Sequence, residues 1–317
     1  MNSYMQELYY SDTEATPTLH SDKTKGIVLF AFGKAGYILS AFNLAMSIKK
    51  YSNIPIALFV SEKEIGAIGI DWLKKFCDHI EILEPDTFML DGRIDPAVLK
   101  CEMYDYLPYD QNLYIDVDSL CVKSLDPLMD YLSQLGEFYI APVLGQGGKA
   151  DSISYSLWAK NEDIWEYFKL PEGAILPALQ TSWCYIEKTE EAKAFFSDIK
   201  ANRAFPMDKL QMKWGGTMPD ELIYSGTCAQ HGMIPKCDKQ DEVYFFGNTH
   251  DPNVKTPTDL EKNFYFMSIY GPGKGKPLVK LRYLEWYDRY VMQLSRQFNA
   301  PLIKRQMIMK DKHLNNK

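Results

Sequence analysis

The chain has 317 residues, 46% of them hydrophobic and 24% charged, with a formal net charge of −7. A chain this long buries roughly three quarters of its unfolded surface, so its core needs no staples, and the composition excludes disordered, collagenous and disulfide-scaffold classes. A net acidic chain argues against a general nucleic-acid binder, and no apolar run in it approaches the ~18 residues that span a bilayer.

Residues 1–24 are polar and aperiodic and read as an N-terminal arm. The arm carries acids and lacks an apolar h-region, so it does not read as a signal peptide, and the expected location is cytoplasmic. GIVLFAF (26–32) is a short apolar run bounded by Gly26 and Gly33 and predicts a buried strand. Ile38, Leu39, Phe42, Leu44, Ala45 and Ile48 form the apolar stripe of a helix over 35–49. Strands follow at 54–61 and 79–83, with a short helix over 68–77 between them. Asp95-Pro96 opens a helix to about Leu107, and NLYIDVDS (112–119) is a fourth strand that ends in acids. This β-α alternation implies a mostly parallel, Rossmann-like sheet flanked by helices.

The second half is less regular. Asp126-Pro127 begins a helix to about Leu135, FYIAPVLG (138–145) is strand-like, and 157–170 reads as an aromatic-rich helix. SWCYIE (182–187) is a strand, and helices are expected over 189–204 and 219–231. Strands are expected at 243–248 and 263–271, and a long helix over 278–298. No linker divides the chain, so the expected organisation is an arm (1–24), one α/β domain (25–277) and a C-terminal helix with a basic tail (278–317). The six cysteines contain no CxxC pair and read as buried thiols in a reducing compartment. Residues 271–317 hold eleven Lys or Arg against three Asp or Glu. A basic end on an acidic body suggests an anionic ligand or peripheral contact with a membrane surface there; a frayed, solvated tail is the other reading.

The segment that carries chemistry is Leu113-Tyr-Ile-Asp116-Val117-Asp118-Ser. In a strand, residues two apart share a face, so two carboxylates aimed the same way repel unless a cation sits between them. Hard oxygen donors suit Mg²⁺ or Mn²⁺, which in turn hold a diphosphate. An apolar strand ending in Asp-x-Asp is also the opening of haloacid-dehalogenase phosphatases. There Asp116 would be a nucleophile, but that motif usually begins its domain, whereas three strands precede it here.

With its context, the segment resembles GT-A glycosyltransferases, most closely glycosyltransferase family 8, the glycogenin and lipopolysaccharide galactosyltransferase type. The resemblance covers 26–278 and is strongest from Lys100 to Leu128, where Lys100 stands sixteen residues before Asp116 and SLDPL follows the strand. It implies a GT-A fold with a helical C-terminal extension. Asp116 and Asp118 would bind Mn²⁺ or Mg²⁺ and, with Val117, the donor diphosphate. Lys100 would contact nucleotide or sugar, Tyr37 would lie near the base, and Ala31, Phe32 and Gly33 would form the backbone around the nucleotide. Gln180-Thr181-Ser182-Trp183 stands at the family's Asn-Ser/Thr-Gly turn without its Asn or Gly. Asp220 would bind a sugar in the family's Asp-Gln helix start, if it is not a plain helix N-cap. Gly273, Lys274, Lys276 and Pro277 match the family's diphosphate-binding end, but Tyr270 replaces its metal-ligating His, leaving His250, Tyr270 or water as the further ligand.

The function so implied is retaining transfer of a hexose or pentose from a nucleotide-diphosphate sugar, UDP-linked in most of the family, to an acceptor hydroxyl. Lys276 would neutralise the leaving diphosphate, and Asp151 and Asp220 are the acids to examine for sugar contacts. Aromatic residues Trp158, Trp165, Trp183, Trp214 and Tyr185 are either stacking platforms or core. The acceptor would be a glycan, a lipopolysaccharide-like molecule or modified DNA. A phosphatase using Asp116, or a catalytically silent nucleotide-sugar-binding protein, are the alternatives.

Overall fold

A computed structural model describes residues 24–33, 35–84, 87, 89–90, 93–142, 158–211, 218–233, 243–246, 254–269 and 277–305. The described residues fall into two compact units. One lies within Met1–Lys25, Pro85–Tyr114 and Asp130–Asp238, the other within Gly26–Glu84, Ile115–Met129 and Lys239–Lys317.

In the second of these, strand β1 (Lys25–Ala31) is buried from Gly26 onward, as a strand covered on both faces must be. Strand β2 (Ile56–Val60) lies parallel to it, from Ile27 opposite Ile56 to Ala31 opposite Val60. β3 (His79–Ile82) continues the parallel set and carries polar residues because it forms the edge. The crossover is helix α1 (Ala35–Tyr51), whose closing Lys49 and Lys50 suit the negative end of its dipole. A single turn, α2 (Glu62–Ile65), precedes the range 68–77, where the expected helix is reduced to another single turn, α3 (Ile70–Leu73). Gly69 precedes α3 at φ +86°, a conformation that breaks continuity.

A two-stranded ribbon, β4 (Met89–Leu90) and β5 (Arg93–Ile94), precedes helix α4 (Pro96–Cys101) in the other unit. Asp95 caps α4 by accepting from the Ala97 amide at 3.0 Å, and Pro96 fills the first turn, as the sequence indicates. The expected helix to Leu107 changes at Glu102 to a 3₁₀ turn, Met103–Tyr106. Strand β6 (Gln111–Ile115) is wholly buried, and β7 (Leu120–Cys121) follows it. Next come α5 (Asp126–Leu135), β8 (Phe138–Pro142), α6 (Asn161–Tyr167), β9 (Leu179–Glu187), α7 (Glu190–Ala201) and α8 (Asp220–Gln230). β8 and β9 pair antiparallel. The chain then adds β10 (Val243–Phe246), α9 (Pro257–Asn263), β11 (Phe266–Ile269) and the 22-residue α10 (Pro277–Phe298).

The main sheet has the order β3-β2-β1-β6-β9-β8 and is mostly parallel. A second sheet, β10-β11-β7, pairs β11 antiparallel with β7 just beyond the acidic end of β6. Two expectations shift. The strand over 263–271 begins at Phe266, because Thr256 and Asp259 form a capping box that starts α9 and carries Asn263 into it. The helix over 157–170 is only Asn161–Tyr167, and Trp158 precedes it beside the bridge between Ala159 and Leu210.

One contact within the first-named unit fixes α8. A Cβ built on Gly226 would meet the Phe168 ring at 2.3 Å, and Phe168 is 1% exposed, so the ring has no room to give. Overpacking costs about 1–3 kcal/mol, which outweighs the ~1 kcal/mol that Ala gains over Gly inside a helix. Gly226→Ala is therefore expected to unfold at a lower urea concentration than the wild type with the same denaturant slope. An equal or higher midpoint would contradict this packing.

Candidate functional site

The β6 ladder ends at Ile115, so Asp116 and Asp118 do not share a strand face as the sequence suggested. They sit on a turn closed by the Ser119 amide donating to the Asp116 carbonyl at 3.1 Å. Asp is a poor strand residue and a good turn opener. Val117 is buried at 6% exposure, while both aspartates are partly exposed. The turn is held on both sides. The Cys121 amide donates to Ser47 Oγ of α1 at 3.0 Å, and the Tyr283 hydroxyl of α10 donates to the Asp118 carbonyl at 3.5 Å.

The same unit contains the other residues expected around a nucleotide. Ala31 ends β1, Phe32 is buried, and Gly33 is exposed at φ +89°, in the left-handed region that suits glycine. Tyr37 is half-buried on the first turn of α1. Two hard carboxylates on one turn fit a Mg²⁺ or Mn²⁺ ion whose other positions are taken by water or phosphate oxygens. Among the described residues no group of three or more His, Cys, Asp or Glu is placed to hold a metal. Asp151, Trp214, His250, Tyr270, Gly273, Lys274 and Lys276 lie outside the described residues.

In the other unit the structure brings Lys100, Thr181 and Asp220 together. Lys100 Nζ lies 3.0 Å from Asp220 Oδ2 and donates to the Thr181 carbonyl at 3.4 Å. Thr181 Oγ1 donates to Asp220 Oδ2 at 2.6 Å. Asp220 is not the cap of α8: Pro219 holds that position, and the carboxylate turns to the lysine instead. Burial opposes its ionisation, but the Lys100 ammonium and the Thr181 hydroxyl outweigh it and hold the carboxyl below the usual range. Ser182, the next residue on β9, is half-buried, and its Oγ has no hydrogen-bond partner among the described residues.

Two residues of this cluster were not singled out in the sequence. Tyr224, one turn along α8, donates its hydroxyl to the Lys100 carbonyl at 2.6 Å and so fixes the lysine's backbone. Glu221 is pushed well above the carboxylate range by burial and by the charge of Asp220. The pair is therefore split in direction, Asp220 toward the anion and Glu221 toward the neutral acid (a split that often marks acid–base sites). The available signal was an acid following an acid at a helix start.

The aromatic residues divide clearly. Trp183 is buried and stacked on Tyr139 at 5.5 Å, Tyr185 is fully buried and donates to Glu187 at 2.7 Å, and Trp158 is 3% exposed. These three are core. Trp165 is half-buried with its indole N–H on the Ala174 carbonyl at 3.0 Å. Cys77, Cys101, Cys121, Cys184 and Cys228 are buried free thiols. Burial pushes Cys77 and Cys121 up to about 12, which leaves them unreactive at neutral pH.

No protein-family profile matches the sequence, and no curated protein matches it. Solved structures do match. The bifunctional glycosyltransferase WbbM, in its apo form, superposes with a TM-score of 0.55 at 13% identity, covering 93% of this chain and 53% of its own. The galactosyltransferase LgtC, in complex with donor and acceptor sugar analogues, gives 0.52 at 14% identity, covering 90% of this chain and 99% of its own. The fold is the GT-A glycosyltransferase fold. This chain spans about half the length of WbbM. Among the described residues no helix is long and apolar enough to cross a membrane.

The neutral acid gives a pH test. Glu221 has a folded pKa above its unfolded value, so between the two the native state holds a proton that the unfolded state has lost. Its contribution is complete below the unfolded value, about 4.3, and fades as pH rises through the folded one. Glu221→Gln should therefore be more stable than wild type at neutral and alkaline pH, with the advantage shrinking toward pH 4. Melting temperatures measured from pH 4 to 9 would show this, and a pH-independent difference would contradict it.

Proposed function

We propose that the protein is a metal-dependent glycosyltransferase that moves a hexose or pentose from a nucleotide-diphosphate sugar, UDP-linked, to a hydroxyl of a glycan acceptor, with retention at the anomeric carbon. The observation that carries this reading is the Asp116-Val117-Asp118 turn at the carboxyl end of central strand β6 in a GT-A sheet. Ligands of open α/β sheets bind outside the carboxyl ends of the strands, and the two half-exposed carboxylates there are chemically suited to a hard cation. The sequence resemblance to glycosyltransferase family 8 supports the finer parts: retention, the UDP donor and the roles below.

In this reading Asp116 and Asp118 hold Mn²⁺ or Mg²⁺. A divalent ion, when bound, supplies Lewis-acid stabilisation of a leaving diphosphate. Lys276, with Lys274 beside it, adds fixed positive charge for the same developing anion. Ala31, Phe32 and Gly33 take the nucleotide with their backbone, and Tyr37 packs at the base. Asp220, already ionised by Lys100, accepts from a sugar hydroxyl on the lone pairs that Lys100 and Thr181 leave open. Front-face substitution, in which the leaving phosphate takes the acceptor's proton, requires no protein nucleophile.

Thermal unfolding against nucleotides and nucleotide sugars tests this. A ligand at a hundredfold excess over Kd stabilises the native state by about 2.7 kcal/mol. The expected result is an upward shift with UDP that needs Mn²⁺ or Mg²⁺ and is lost in the Asp116→Asn/Asp118→Asn double variant. No shift with any nucleoside diphosphate near millimolar would refute the reading and favour a phosphatase using Asp116.

A further inference from the structure

The segment after α10 turns back onto α1. Ile303 and Arg305 are each 3% exposed. Asn43 of α1 donates to the Ile303 carbonyl at 2.8 Å and to the Tyr287 hydroxyl at 2.9 Å. The Arg305 amide donates to Asp288 at 2.9 Å, and the guanidinium donates to Ser40 Oγ at 3.2 Å. The guanidinium carbon lies 6.0 Å from the Tyr283 ring centre and 5.6 Å from that of Tyr287. Tyr283, 1% exposed, carries the hydroxyl that reaches the Asp118 carbonyl.

A buried guanidinium is costly unless it answers negative charge. Burial opposes the charge on Arg305, but the phenols of Tyr283 and Tyr287 and the Asp118 carboxylate hold it cationic. The Asp118 charge also acts on both tyrosines. Tyr283 thus links Arg305, which lies beside its ring, to the backbone of the acidic turn. Like charges close together repel, and a buried cation joined to the turn through Tyr283 offsets part of that repulsion.

We propose that Arg305 is a positioning residue: acting with Tyr283 on Asp118, it orders the Asp116–Ser119 turn, so the segment after α10 belongs to the donor-binding machinery. The ordering half rests on the geometry alone, and the donor half rests on the function proposed above. Removing the guanidinium has two competing consequences. Loss of order weakens binding of a metal–nucleotide, whereas loss of repulsion toward an incoming cation tightens it. The proposal requires the first to dominate.

The experiment uses the full chain as wild type, Arg305→Met, Arg305→Lys and Tyr283→Phe. Two quantities are read: hydrogen exchange of the amides from Val117 to Leu120, and the Kd for UDP with Mn²⁺ by calorimetry. Arg305→Met is expected to speed exchange in the turn and weaken UDP–Mn²⁺ binding. Arg305→Lys, which keeps the charge, should restore most of both. Tyr283→Phe keeps the ring packing and removes only the hydroxyl, so it stays informative if Arg305→Met does not fold. The loss of that one neutral hydrogen bond should weaken binding by about fivefold. Unchanged exchange in the turn, or tighter UDP–Mn²⁺ binding by Arg305→Met, would overturn the proposal. A wild type that binds no UDP with either metal would overturn the donor half, while the exchange data would still decide whether Arg305 orders the turn.

Discussion

Asp116 and Asp118 are two like charges that the chain must hold one residue apart at the end of a buried strand. Like charges close together disfavour one another, so where this pair sits is set by the backbone that carries it. Here the backbone on both sides is fixed. β6 delivers the first aspartate from the core, and β7, bonded to Ser47 and paired with β11, takes the chain away immediately after the turn. A pair fixed in this way has already met the ordering cost that a cation would otherwise impose on binding.

The cluster around Asp220 shows a different use of charge. There the carboxylate has partners inside the protein: one lysine and one threonine engage the same oxygen, and Tyr224 secures the lysine's main chain. A buried pair of this kind adds little stability over an apolar replacement, but breaking it by removing one partner costs about 3–5 kcal/mol. Its consequence is chemical. It lowers the pKa of Asp220, while the charge of Asp220 raises that of Glu221.

Much of the fold was legible in the sequence because its central elements are dense apolar runs with clear punctuation. β1, β2 and α1 follow from GIVLFAF, IPIALFVS and the stripe from Ile38 to Ile48, and α4 follows from Asp95-Pro96. Elements defined by partners rather than by pattern were not legible. β4, β5 and β7 are two residues each, and nothing in two residues marks a strand. The end of β6 at Ile115 is set by a turn bond that competes with the ladder. At the site, the residue types at Lys100, Thr181 and Asp220 were visible, but their ion pair joins segments distant in sequence. Arg305 lay in a stretch whose basic composition suggested either a solvated tail or an anion site; its burial against Ser40, Tyr283 and Tyr287 appears only once α10 is placed beside α1.

The central claim is that the acidic turn serves departure of a nucleoside diphosphate from a sugar. Release of UDP from a panel of UDP-sugars, followed with and without Mn²⁺ and with a glycan acceptor mixture, tests it directly. The account predicts metal-dependent release that falls by about a hundredfold or more in Asp118→Asn, the usual loss when one element of charge stabilisation is removed. Release that proceeds equally in Asp118→Asn, or equally without a divalent ion, would contradict it.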